Sequence, residues 1–215
     1  VSSTWNAISG GTSNGVNNLI TSLAYYNNEL YVGGQFTRVG NITSNGLAKW
    51  NGSSWSTFGN TSTGTSVFRL LVDGSNLYVG GVFSTIGGIN ARNIARWNGS
   101  AWSALGNGIN GIVYSIAIAG SNVFAGGLFD TAGTVAASNI ARWNGTTWST
   151  LGTGTNATVL DLEIIGSDLF ACGLFGTAGG VTVNGVAEWN GTTWSALGTG
   201  LSNFAYCLFV DGTNL

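Results

Sequence analysis

One short aromatic segment returns along this chain at intervals of about 46 residues, as Trp50-Asn51-Gly52-Ser53-Ser54-Trp55, Trp97 to Trp102, Trp143 to Trp148 and Trp189 to Trp194. A fixed period of this length means that each repeat is one supersecondary unit, able to bury its apolar face only against its neighbours. The repeat therefore constrains architecture more than any single residue does. No linker interrupts it, so residues 1–215 read as one domain, with units at roughly 10–57, 58–104, 105–150 and 151–196 and a partial unit made of 197–215 plus 1–9.

Within a unit the apolar pattern has a period of two, the signature of strands. In the third unit, Val113 to Ile118 reads as a first strand and Val123 to Phe129 as a second, joined by a Gly120-Ser121-Asn122 turn. A loop from Asp130 to Ser138 follows, then a third strand Asn139 to Trp143, an Asn144-Gly145 turn and a fourth strand around Trp148 to Leu151. Asn-Gly between apolar strands is a strong hairpin signal, because both residues tolerate positive φ. Gly126-Gly127 inside a strand would weaken it; its return as Gly33-Gly34 and Gly80-Gly81 predicts a close backbone approach or a bulge, with Cys172-Gly173 the departure. Four antiparallel strands per unit, repeated around an axis, describe an all-β fold, a β-propeller of four-stranded antiparallel blades with about 4.6 repeats.

The residues that define the blade also carry a resemblance. The Gly-Gly ending the second strand, the aromatic in the third and the tryptophan in the fourth resemble a kelch-type blade. More closely, Leu77-Tyr78-Val79-Gly80-Gly81-Val82-Phe83, then Ile94-Ala95-Arg96-Trp97-Asn98-Gly99 and Trp102-Ser103-Ala104-Leu105-Gly106, is similar to repeats of secreted bacterial surface proteins and of the fungal cortical polarity marker family. The likeness implies a propeller and leaves activity open, since such blades serve lectins, adhesins, scaffolds and a few enzymes.

Trp5 aligns with Trp55, which places a fourth strand at the start, while Phe204 to Leu215 reads as a first strand and the beginning of a second. Fourth and first strands thus outnumber complete second and third strands. The phase predicts a five-bladed ring or a fragment of a larger propeller, with open strand edges that invite strand exchange, oligomeric closure or self-association.

Composition excludes several function classes. Charged residues are only 7%, against roughly 25% in ordinary soluble proteins. Six Lys and Arg face eight Asp and Glu, so no basic patch exists to neutralise nucleic-acid phosphates or an anionic membrane. The apolar runs are too short for a spanning helix, and the first residues lack the layout of a signal peptide; in a secreted protein the signal would already be removed. An uncharged surface rich in Asn, Thr and Gly fits an extracellular or cell-surface setting. Seven Asn-x-Ser/Thr sequons, at Asn41, Asn51, Asn60, Asn98, Asn144, Asn156 and Asn190, would matter in a eukaryotic secretory host, but four of them are the hairpin turn itself.

The chain has no histidine, so the commonest general base and the usual zinc ligand are missing, and the expected protein is not an enzyme and holds no cofactor or metal. Gly10-Gly11-Thr12 and Gly198-Thr199-Gly200 open no helix and precede no Gly-Lys-Ser/Thr, so they are turns and not phosphate cradles. Asp161 and Glu163, at strand spacing i, i+2, share one face. Such a pair suits glycosidase or calcium chemistry in principle. The plainer reading puts them with Arg69 in the lining of a central channel, where the matching positions Ser22, Arg69, Ser115, Asp161 and Cys207 are mixed in character. Cys172 and Cys207 are expected to be buried free thiols, a disulfide between adjacent blades being the alternative.

The nine tryptophans carry the remaining functional signal. The fourth-strand set, Trp55, Trp102, Trp148 and Trp194, is expected to pack between sheets. The third-strand set, Trp50, Trp97, Trp143 and Trp189, beside Lys49, Arg96 and Arg142, supplies the candidate ligand-binding residues, since exposed aromatic faces stack on sugar rings and amides and hydroxyls bind the sugar's OH groups. Two expectations follow. One is a non-enzymatic extracellular recognition module, binding glycans or a cell-surface partner multivalently, between blades or on the face built from Thr37 to Asn45, Ser84 to Asn93, Asp130 to Asn139 and Gly176 to Asn184. The other is a structural or self-assembling segment of a surface protein, filament or symmetric engineered propeller, with no ligand.

Overall fold

A computed structural model describes residues 15–62, 64–212 and 214–215; Trp5 and the Gly10-Gly11 turn lie outside the described residues. The chain forms a β-propeller with four complete four-stranded antiparallel sheets, in each of which the strands lie in chain order. In blade 3 these are Ile112–Ala119, Asn122–Leu128, Ile140–Trp143 and Trp148–Thr150. Blades 1, 2 and 4 begin with Ile20–Tyr26, Ser66–Asp73 and Val159–Ile165.

The predicted loop from Asp130 to Ser138 is more ordered than a loop. Thr131–Ala132 pairs with Val135–Ala136 as a small hairpin, and every blade carries its counterpart. Its alternation is too short to stand out from turn residues, but Ala132 and its equivalents Val39, Ile86 and Ala178 are fully buried.

The Asn-Gly turns form the expected hairpins by a different geometry. Trp143 pairs with Trp148, so the loop is four residues long, and only Gly145 takes positive φ. Asn144 instead caps the turn, its Oδ1 accepting from the amides of Thr146 and Thr147 at 2.9 and 2.8 Å. Asn51, Asn98 and Asn190 cap theirs in the same way, the local hydrogen bonding that favours asparagine in turns.

Both readings of the paired glycines hold at once. The first strand bulges opposite them, between Val113 and Ser115 in blade 3. A β-carbon on Gly127 would strike the Ile112 carbonyl across that bulge, and one on Gly126 would meet Val159 and Leu162 of the next blade. The first glycine is thus a contact between blades, and the second a contact within one.

The core is divided accordingly. One buried cluster joins blades 1 and 2 around Leu47, Val67, Leu70 and Val79; a second joins blades 2 and 3 around Ile94, Val113 and Ile116; a third joins blades 3 and 4 around Ile140, Val159 and Leu162. Fourth-strand tryptophans and asparagines stitch these layers. The indoles of Trp148 and Trp194 donate to the carbonyls of Leu105 and Leu151 in the preceding blade, at 2.8 and 2.9 Å. Asn93 and Asn139, both at positive φ, donate forward to the carbonyls of Ile109 and Thr155.

The carboxy-terminal segment departs from expectation. Phe204 to Val210 forms no strand, although it occupies a first-strand position. A tie at the bulge repeats there: Leu70 N–H donates to Ser22 Oγ, Leu162 N–H to Ser115 Oγ, and Leu208 N–H to Asp161 Oδ2 at 2.9 Å. The segment is docked on blade 4 as a first strand is docked on its predecessor, and among the described residues no strand pairs with it.

Candidate functional site

Adjacent residues in a strand point to opposite faces, and this separates the two candidate ligand-binding sets. Trp143 faces back toward blade 2, where it packs over Gly106. Trp97 likewise meets Phe58 of blade 1, with ring centroids 5.3 Å apart. Arg142 and Arg96 lie on the other face, each placing Nε 3.3 Å from a fourth-strand serine hydroxyl, Ser149 and Ser103. Lys49 is paired with Glu29 at 2.7 Å. Burial pushes the Tyr78 phenol above its ordinary value, and the neighbouring Arg96 guanidinium opposes that shift. The tryptophans and the cations therefore do not share one site.

The third-strand tryptophans are not equivalent. Trp50, Trp97 and Trp143 are half-buried, whereas Trp189 is buried. In the fourth strands Trp55, Trp148 and Trp194 are buried, as packing residues should be, and Trp102 is half-buried. Each third-strand ring lies within 5.3 to 5.5 Å of its fourth-strand partner, tilted by 51 to 54°.

Between blades 2 and 3 this pairing opens a cleft of about 380 Å³. Trp143 and Val135 supply its apolar lining, and Asn107, Thr134, Thr146 and Thr147 its polar rim. No charged side chain lines it. The fixed hairpin turn positions Thr146 and Thr147, while Gly106 and Gly133, both at positive φ, let two turns approach the indoles closely.

A broader groove of about 550 Å³ lies on the face formed by the small hairpins, lined by Asn110, Asp130, Ser138, Asn139, Thr155 and Asn156. The asparagines there are already engaged: Asn110 and Asn156 accept from the amides of Thr131 and Thr177 at 3.0 Å. Asp130 is exposed and receives hydrogen bonds from Thr131 and Asn110, both 2.6 Å, which hold its carboxyl below the usual range. The same tie recurs in blade 1, where Asn17 accepts from the amides of Thr37 and Arg38 at 3.0 Å.

Arg69, Asp161 and Glu163 do come together. Arg69 reaches from blade 2 to the blade 4 carboxylates, 4.0 Å from Asp161 and 3.8 Å from Glu163. Ser115 of the intervening blade donates to Asp161 at 2.8 Å, and the Leu208 amide occupies its other oxygen. Burial raises the Glu163 pKa, Asp161 adds to the rise, and Arg69 opposes it. Asp161 is thus spent on holding first strands together. Among the described residues no group of three His, Cys, Asp or Glu is placed to hold a metal ion.

Cys172 and Cys207 are unpaired. Cys172 is buried, and burial pushes its thiol up to about 12. Cys207 is exposed, contrary to the expectation of two buried thiols. Strand register explains the separation: Cys172 replaces the glycine that faces Val159 and Leu162 in the preceding repeat, so its side chain is directed at the equivalent Ala205 and Leu208.

The sequence matches no family model, and a search of curated proteins found no match. Solved structures do resemble it. The computationally designed Ika8 protein superposes with a TM-score of 0.53 at 14% identity, covering 89% of this chain and 65% of that one. The extracellular domain of the putative hybrid two component system BT4673 from B. thetaiotaomicron gives 0.56 at 14% identity over 92% of this chain, and a second structure titled as a one component system gives 0.53 at 15% over 94%. This chain spans 24% of each of those two domains. At such identities the likeness supports the propeller fold alone.

Proposed function

We propose that this propeller is a non-enzymatic extracellular recognition module that binds neutral glycans through the clefts between its blades. The observation that carries the reading is the cleft at Trp143: an indole and Val135 beside Asn107 and three threonines, with no charge. A pyranose needs an apolar surface for its C–H face and hydroxyl or amide partners for its rim. An anionic sugar would find no cation there, since Arg142 lies on the opposite face of its sheet. Trp97 holds the same strand position one blade earlier, and further weak sites of this kind on one rigid body would act by avidity.

A glycan array presenting neutral and acidic sugars at high density tests the proposal. Related neutral hits, lost by about tenfold or more in Trp143→Ala, would support it. Because Trp143 also packs on Gly106, the exposed rim variant Thr146→Asp provides a second arm that should weaken binding without touching the core. A blank array, or a preference for acidic glycans, overturns the reading.

A further inference from the structure

We infer that the central channel holds a binding site, separate from the cleft at Trp143, for a small aliphatic α-amino acid in its zwitterionic form. Departures from the repeat build it. At the channel position where blades 1 and 3 carry Ser22 and Ser115, blades 2 and 4 carry Arg69 and Asp161; two residues further on, Glu163 stands where the other blades have Ala24, Leu71 and Ala117. Only 7% of the chain is charged, yet these three exceptions from two blades meet across Ser115, with Arg69 4.0 Å from Asp161 and 3.8 Å from Glu163.

The contacts among them are incomplete. Both separations are longer than a hydrogen bond, and the buried Nε of Arg69 has no acceptor among the described residues. Asp161 is occupied, its oxygens accepting from Ser115 Oγ and from the amides of Leu162 and Leu208. That leaves Arg69 and Glu163 to face a ligand. A guanidinium offers a planar fork of donors that matches a carboxylate, and a carboxylate accepts from an ammonium group. A simple anion would be repelled by Glu163 and a simple cation by Arg69. An α-amino acid carries both charges on one carbon, so a single molecule satisfies both residues.

The space beside them sets size and side chain. A cavity of about 180 Å³ is lined by the first strands of blades 2, 3 and 4; apart from Arg69, Glu163 and Asp73 its lining is aliphatic, including Leu71, Ile118 and Ile164. That volume is below the roughly 300–1,000 Å³ of pockets for drug-sized ligands and well above the about 10–15 Å³ that a single water requires. It suits a molecule the size of valine or leucine. Asp73 is exposed at the end of its strand, where solvent screens its charge, so the aliphatic walls decide the side chain.

Isothermal titration calorimetry of the whole chain at neutral pH, with leucine, leucinamide, isocaproate and lysine as probes, tests the site. Leucine is expected to bind one-to-one with a Kd of about 1 mM or lower. Leucinamide, which lacks the carboxylate, and isocaproate, which lacks the ammonium group, should each bind at least about tenfold more weakly, the worth of one charge-assisted hydrogen bond. Glu163→Gln, uncharged and of the same shape, should weaken leucine about tenfold or more without weakening isocaproate, its circular dichroism spectrum reporting an intact fold. The analogue series uses the unaltered protein, so the decision does not depend on how the variant folds. No leucine binding at about 10 mM, equal affinity for leucine and either analogue, lysine binding as tightly as leucine, or a folded Glu163→Gln with unchanged leucine affinity would each overturn the inference.

Discussion

The glycine-to-valine contact between blades predicts a specific rescue. Gly126 does not lie in the left-handed region, so a side chain there costs no backbone strain and should even gain about 0.5–1 kcal/mol of strand stability. The obstacle is packing. An added β-carbon would sit 2.6 Å from Val159 Cγ1 and 3.2 Å from Leu162 Cδ1, well inside the about 3.5–4.0 Å preferred by carbon pairs. Overpacking of this kind costs about 1–3 kcal/mol, which leaves Gly126→Cys about 1–2 kcal/mol less stable. Val159→Ala removes two methyl groups from a side chain with no exposure, about 2 kcal/mol with its cavity. Combined, the two changes rebuild the Cys172 and Ala205 pairing one blade earlier, and the sulfur fills the space that the methyls left. The double variant is expected to lose only about 1–2 kcal/mol instead of the additive 3–4, a coupling of about 2 kcal/mol, or about 4–8 °C in Tm. Urea and thermal unfolding of the four proteins measure it, with an unchanged m-value as the check that the cooperative unit is the same. Additivity within about 0.5 kcal/mol would refute the account of the paired glycines.

Three further outcomes follow from single contacts. Trp148→Phe strands the buried Leu105 carbonyl and should cost about 1–3 kcal/mol in urea unfolding beyond the loss of ring area, whereas Trp55→Phe, whose indole has no acceptor among the described residues, should cost less. Glu163 has a raised pKa in the folded state, so the native protein holds this proton to higher pH than the unfolded chain; stability should fall as pH rises from about 4 through the raised value, and Glu163→Gln should flatten that segment of the pH profile. A thiol reagent at neutral pH should label Cys207 at once and leave the buried, high-pKa Cys172 untouched until denaturant is added; two rapid equivalents in the native protein would contradict the placement of Cys172.

Much of the fold was legible in the sequence because a repeat averages out local ambiguity. Val123 to Leu128 alone is only an apolar run, but its recurrence beside Asn-Gly and tryptophan at one period identifies a strand in a four-stranded unit. The small hairpins were not legible, since two-residue strands such as Thr131–Ala132 carry too little alternation. Neither was the split between Trp143 and Arg142: neighbours in sequence suggested one site, and the pleat put them on opposite faces. The cleft residues Asn107 and Thr134 come from two turns of different blades, a juxtaposition that no local pattern announces.

What the sequence determined alone was the repeat unit: four strands, hairpin turns at the Asn-Gly pairs, and glycines where backbones crowd. These are consequences of local stereochemistry and composition, which need no partner. Which tryptophans are buried, which wall of a cleft they form, and that Ile20 and Leu23 are exposed while Val159 and Leu162 are buried were decided only by tertiary structure. Burial in a propeller is a property of the junction between two blades, and identical residues acquire different surroundings according to what the neighbouring blade provides.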